Sequence, residues 1–281
     1  MKKLLLSALA AVALSAAPAF AADMPVKAKK MVAPVYVSPW DLAFGVAMTS
    51  DYELRGISQS GHRPAIQGYF EGRYNAADWL QLYAGVWGSS LYTGFADAEF
   101  DISGGGRFTF GNFGLDLGYV YYGYPGPAAG VNISYGEFYA KPTYKVADWL
   151  TVGAFVTGGS DFGNGVGIVG SKDAYFYGGN AFITLPWAPL GVTLTLNPEI
   201  GRQWYSSGVK TSLAFQDYTW WDVGLILNYK AVTLDLRYWD TNVSTPAAGQ
   251  CVAAAPIAGN DLCSAKFVAT LKFDTTFSAL K

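Results

Sequence analysis

The sequence predicts an all-β protein, an antiparallel up-and-down transmembrane β-barrel of about 12 strands with short periplasmic turns and long extracellular loops. Three observations predict it. Apolar residues alternate with polar or small ones in segment after segment, the period of a strand with one face in lipid and one in a lumen. The connections between these segments are short and long in turn. The composition is apolar without offering a spanning helix: of 281 residues 51% are hydrophobic, 16% aromatic and 14% charged, against roughly 25% charged in an ordinary soluble domain. Residues 174–198 carry no charge, but Pro186 and Pro189 interrupt them, so they read as two strands joined by a turn. Only helices and closed barrels satisfy every backbone polar group in lipid, which leaves the barrel.

Residues 1–21 read as a signal peptide: Lys2 and Lys3, an apolar run, then Ala19-Phe20-Ala21 as the cleavage site. Residues 22–39, with three lysines and three prolines and no steady period, read as a flexible periplasmic lead-in. Residues 40–281 form the barrel. In the first segment, 40–49, Trp40, Leu42, Phe44, Val46 and Met48 face lipid and Asp41, Ala43, Gly45, Ala47 and Thr49 face inward. The second, 64–74, is weaker. The third, 80–87, sets Gln81, Tyr83 and Gly85 against Leu80, Leu82 and Val86. The fourth, 99–110, puts Glu99, Asp101, Ser103 and Arg107 inward, and the fifth, 115–121, adds Asp116. The sixth, 137–146, puts Glu137, Tyr139, Lys141 and Lys145 inward. Two weaker segments, 150–157 and 174–185, follow. The ninth, 190–200, alternates Leu194, Leu196 and Ile200 with Thr195, Asn197 and Glu199. The tenth to twelfth, 221–230, 232–238 and 266–274, put Asp222, Asp235, Arg237, Lys266, Lys272 and Asp274 inward.

The connections at 75–78, 111–112, 147–148, 186–189 and 230–231 are short. Those at 50–63, 88–98, 122–136, 158–171, 203–217 and 240–265 are long. An even strand number puts both ends of the barrel on the short-turn side. Tyr74, Trp79, Phe110, Phe113, Tyr144, Trp149, Trp187 and Tyr229 sit at or beside the short turns, where amphipathic rings suit the headgroup level. Ala77-Asp78-Trp79-Leu80 recurs as Ala147-Asp148-Trp149-Leu150, a turn used twice.

Several chemistries are disfavoured. One histidine cannot supply a multi-His metal site, and two cysteines cannot supply a four-thiolate zinc site; no cofactor is indicated. A net charge of −2 gives no basic footprint for nucleic acid. Gly165-Val166-Gly167-Ile168-Val169-Gly170 matches a dinucleotide fingerprint, but a strand-like Tyr175-Phe176-Tyr177 follows where a helix is required, so it reads as a loop. His62 has no flanking catalytic pattern and reads as a surface residue; the chain is read as no enzyme, the rival being a hydrolase barrel that uses His62 as its base. Cys251 and Cys263 share the longest loop, and an oxidising compartment makes them a disulfide. The inward acids are Asp41, Glu71, Glu99, Asp101, Asp116, Glu137, Glu199, Asp222, Asp235 and Asp274; the inward bases are Arg73, Arg107, Lys141, Lys145, Lys230, Arg237, Lys266 and Lys272. Near balance implies weak ion selectivity or a salt-bridged plug, and about 12 strands imply a narrow or occluded bore.

Thr49-Ser50-Asp51-Tyr52-Glu53-Leu54-Arg55-Gly56-Ile57-Ser58-Gln59-Ser60, with Pro64-Ala65-Ile66-Gln67-Gly68 and Tyr83-Ala84-Gly85-Val86-Trp87-Gly88-Ser89-Ser90, resembles the TorF-type porin family of proteobacterial outer-membrane proteins. Residues 21–27, which run across the expected cleavage point, are similar to alphaproteobacterial outer-membrane proteins. The resemblance implies passive diffusion of small solutes and supplies no functional residues. The functional expectation is therefore an outer-membrane channel for small hydrophilic solutes or ions, partnered by outer-membrane lipid and with a lipid face that leaves homo-oligomers open. Glu99, Asp101, Arg107, Glu137, Lys141, Asp235 and Arg237 are the lumen residues expected to tune passage. The alternative is a non-conducting barrel that anchors or displays its loops as an adhesin or receptor.

Overall fold

The computed structural model describes residues 38–280 apart from 93–95, 127–132, 164–166, 188, 244–248 and 253–260. The expected signal peptide and residues 22–37 of the lead-in lie outside the described residues. Among the described residues fourteen strands run in order: β1 (Trp40–Thr49), β2 (Glu53–Leu54), β3 (Ile57–Ser58), β4 (Ala65–Ala77), β5 (Leu80–Ser90), β6 (Ala98–Phe110), β7 (Phe113–Gly123), β8 (Tyr135–Ala147), β9 (Leu150–Gly159), β10 (Ala174–Thr184), β11 (Thr193–Tyr205), β12 (Tyr218–Tyr229), β13 (Val232–Thr241) and β14 (Lys266–Thr276). β2 and β3 form a separate hairpin, and the other twelve close into one antiparallel barrel in which β1 pairs with both β4 and β14. A short helix, α1 (Ser207–Leu213), lies in the connection from β11 to β12.

Closure sorts the side chains. Val46, Met48, Ile66, Phe100, Ile102, Phe138 and Phe267 are exposed on the outer face, whereas Glu71, Glu99, Glu137, Glu199 and Asp222 are buried inside. A continuous apolar exterior around a charged interior is the arrangement of a barrel in lipid, the inverse of a soluble one. Among the described residues no helix is long and apolar enough to cross a membrane. The chain is a transmembrane β-barrel of twelve strands.

The twelve segments read from the sequence are the twelve barrel strands, with corrections at their ends. β5, β7, β9, β11 and β13 continue to Ser90, Gly123, Gly159, Tyr205 and Thr241, beyond where the alternation fades, and β8 and β12 begin earlier, at Tyr135 and Tyr218. At this end the long loops cover the inner face, so hydropathy loses its contrast while the backbone ladder continues. β11 starts at Thr193 rather than residue 190, because Pro189–Gly191 form a 3₁₀ turn in which Leu190 has φ 56°. Lys230 is not a lumen base: it takes φ 52° in the two-residue turn before β13 and is exposed. The repeated Ala-Asp-Trp-Leu marks one turn used twice, since β4–β5 and β8–β9 shift register at the same place, Asn75/Ala77 and Lys145/Ala147. Replacing outward Ile102 with arginine is expected to lower stability by about 2–4 kcal/mol, measured by chemical unfolding in lipid vesicles; Ile102→Leu is expected to leave it nearly unchanged.

Candidate functional site in the barrel lumen

Antiparallel register converts sequence into transverse rows of lumen side chains. Gln81, Arg107, Asp116 and Lys141 face each other in turn across β5 to β8. Arg107 donates to Gln81 at 3.0 Å and clamps both oxygens of Glu71 at 2.9 and 2.8 Å. Its guanidinium lies 3.6 Å from Asp116 and over the Tyr83 ring. Arg73 binds Glu71 from the same strand at 2.6 Å. In the next row, Tyr83 and Tyr139 hydrogen-bond across Gly105 and Gly118. A Cβ on Gly118 would collide with the Tyr139 hydroxyl, so the tyrosines reach each other because the two positions between them carry no side chain.

The opposite wall repeats the device. Arg237, Gly224 and Asn197 form one row across β13, β12 and β11. Arg237 lies flat over Gly224, where a Cβ would meet its guanidinium at 2.5 Å, and reaches Asn197 at 2.8 Å. It also binds Asp235 at 3.1 Å and Asp222. Bidentate guanidinium–carboxylate geometry of this kind is what makes charges tolerable in a confined bore.

The first long loop completes the site from above. β2 and β3 are joined by Arg55-Gly56, both at positive φ (55° and 79°), a two-residue hairpin turn. Gly56 is required twice over, since a Cβ there would also sit 2.7 Å from Thr241 and 2.8 Å from Trp220. The turn therefore presses against the inner wall. Arg55 lies over the Phe176 ring at 4.4 Å and donates to both oxygens of Glu137 and to Gln203. Glu137 also accepts from Tyr122 and Thr157. Glu53 pairs with Lys266 of β14 at 3.2 Å, which bolts the hairpin to β8 and β14 at once. Beneath it a cavity of about 350 Å³ is lined by Tyr52, Asp101, Arg107, Lys141, Asp235, Arg237, Lys272 and others.

A cap holds the hairpin. The Cys251–Cys263 disulfide is formed, with Cα atoms 5.2 Å apart. Leu262 beside it accepts from the Ser58 amide at 2.9 Å. Ile57, Val209 of α1, Tyr218, Trp220, Cys251 and Leu262 belong to one buried cluster between the loops and the wall. Asp51 accepts from Ser58 at 2.6 Å, from Ser60 at 2.7 Å and from His62 Nδ1 at 2.9 Å. His62 stays at the surface, and its Nε2 donates to the Asp261 carbonyl at 2.9 Å. A carboxylate and a carbonyl both only accept, so the two bonds together require the imidazolium.

All seven residues chosen from the sequence face the lumen, but they do not form one cluster. Arg107 belongs to the Glu71 network, Asp235 and Arg237 to the opposite wall, and Glu137 to the hairpin. Lys141 lies over Tyr139, while Glu99 accepts from Tyr52 and Asp101 opens on the cavity. Sequence reasoning missed Arg55, Glu53 and Tyr52 because a long loop reads as extracellular. The available signal was three charges packed into Asp51-Tyr52-Glu53-Leu54-Arg55 immediately before a glycine.

Fold and lumen together define a class: a transmembrane barrel with a charged interior and an infolded first loop. A family profile described as a bacterial protein of unknown function (Gcw_chp) matches residues 35–274, and the chain belongs to that family. No curated protein matches the chain. Solved structures similar to it include a KdgM porin (11% identity, 83% of this chain and 98% of that one, TM-score 0.47). Others are an outer membrane channel from Pseudomonas putida F1 (12%, 88% and 100%, TM-score 0.47) and the translocator domain of autotransporter NalP from Neisseria meningitidis (10%, 86% and 89%, TM-score 0.44).

The latch at His62 is pH-dependent. Its hydrogen bond to Asp51 raises the His62 pKa against the opposing effect of burial. Burial pushes Asp51 up, but His62, Ser58 and Ser60 outweigh it and hold the carboxyl below its usual value. The histidine contribution is thus full below roughly pH 6.5, its unfolded value, and is lost as pH rises through the raised folded pKa. The aspartate contribution is full above roughly pH 3.9 and is lost as pH falls through the lowered one. NMR titration of this single histidine is expected to show a raised pKa that returns toward the unfolded value in Asp51→Asn. Protease nicking of the first loop is expected to increase above neutral pH in the native chain and to become pH-independent in His62→Ala.

Proposed function

We propose that the protein is an outer-membrane channel for passive diffusion of small hydrophilic solutes or ions through a narrow, mixed-charge lumen. The chain would be exported by its amino-terminal signal and set with the short turns toward the periplasm. The observation that carries this reading is the cavity of about 350 Å³ walled by charged side chains inside an apolar cylinder. Charges placed there are costly unless paired or wetted, and a solute path is the use that rewards keeping them. Glu99, Asp101, Arg107, Glu137, Lys141, Asp235 and Arg237 tune passage on this reading, and no catalytic step is needed. The hairpin that carries Arg55 makes the constriction.

A second reading has its own support. The hairpin is bolted by Arg55–Glu137 and Glu53–Lys266 and covered by the disulfide-bearing loop. A barrel stoppered in this way, displaying its loops as an anchor, adhesin or receptor, needs no flux. Planar-bilayer recording separates the two. A channel gives discrete, ohmic steps that scale with salt, and Arg55→Ala is expected to enlarge the unit conductance. Asp101→Asn and Arg107→Gln are expected to shift the reversal potential in opposite directions, and unchanged potentials for both would remove them from the path. Silence from protein shown to be folded and inserted favours the stoppered barrel.

A further inference from the structure

Glu99 and Asp101 stand two residues apart on β6, so both side chains enter the lumen from the same face of one strand. Register places Ser89 beside Glu99, and Trp87 and Tyr122 on either side of Asp101. Tyr52 of the infolded loop packs on Trp87 with ring centroids 5.4 Å apart and donates its hydroxyl to Glu99 at 3.3 Å. The two carboxylates are 2% and 9% exposed. Elsewhere in the lumen Glu71, Glu137 and Asp222 each hold an arginine. Among the described residues, no cation lies within ion-pair distance of Glu99 or Asp101, and Arg55 is committed to Glu137. Glu99 Oε2 and Asp101 Oδ1 are both buried without a hydrogen-bond donor. Two adjacent buried carboxylates that hold no ion-pair partner repel each other when ionised and lose hydration.

We propose that Glu99 and Asp101 form a binding site for a divalent cation of the calcium type. Once deprotonated, the pair supplies the two negative charges that such an ion neutralises. The donors placed beside the pair among the described residues are oxygens, the carboxylates together with the hydroxyls of Tyr52 and Ser89, and a hard-ligand set selects hard cations over zinc or copper. Asp101 opens on the cavity, which gives the ion its route in. The bound ion would tie β6 to the hairpin through Tyr52. The site does not depend on conduction, since a barrel that passes nothing can still hold an ion.

The test is equilibrium binding on the folded barrel in detergent, with terbium(III) as probe and Trp87 and Tyr52 as sensitisers. The site predicts saturable terbium emission that calcium displaces. Glu99→Gln and Asp101→Asn should each weaken it at least about tenfold. Asp148→Asn, at an exposed carboxylate on the short-turn rim, should leave it unchanged. No saturable emission, or emission indifferent to both lumen substitutions, overturns the proposal and leaves a pair that shares a proton. Infrared spectra of the unaltered protein give a readout independent of variant folding. A protonated-carboxyl band that calcium removes supports the site, and one that calcium leaves in place overturns it. Conductance enters neither measurement, so the channel reading and the cation site fail separately.

Discussion

Closure of the sheet between β1 and β14 is the constraint on which the rest of this molecule depends. Pairing from Ala43↔Thr276 to Thr49↔Thr270 leaves no strand of the barrel with an open edge, as a span through lipid demands. The chain reinforces the seam beyond the last strand. The Phe277 amide donates to the Leu42 carbonyl, and Ser278 binds Asp41 through its amide and hydroxyl. Once the sheet is a cylinder, each strand has one face in lipid, and every charge must enter a bore too narrow to hydrate it freely.

That confinement explains the form of the lumen. A charge there is stable when a partner of opposite sign stands in its own transverse row or the next, and antiparallel register supplies such rows. Arg107 between Gln81 and Asp116, and Arg237 across Gly224 from Asn197, are the same solution on opposite walls. Glycine has a steric role in it. At Gly118 and Gly224 the missing side chain lets a long group lie along the wall instead of across the bore, which preserves the cavity.

The infolded hairpin extends this logic to the end of the barrel. Arg55 brings to Glu137 the cation that its own row lacks, and Glu53 brings Lys266 a carboxylate from the loop. The loops above then form the soluble-style core of the molecule, with Val209, Trp220 and the disulfide buried together. One chain thus contains two kinds of packing, a membrane cylinder with apolar residues outside and a cap with apolar residues inside. The hairpin is the element that belongs to both.

Period-two alternation made the barrel, its strand count and the direction of most charged lumen side chains legible, because pleating ties face to residue parity within each strand. The pairing of Cys251 with Cys263 was legible too, there being no other cysteine to choose. Lys230 was misplaced because a turn residue at positive φ leaves the parity rule. The direction of the loop at residues 50–63 was not legible, since parity has no meaning outside a strand. Nor were the partners of Arg107, Arg237 and Arg55, which sit on strands far apart in sequence. The sequence by itself determined which residues face lipid and which face the lumen, a local property of the extended chain. Only the tertiary structure decided which charges meet and which loop enters the bore, because both follow from register and closure summed around all twelve strands.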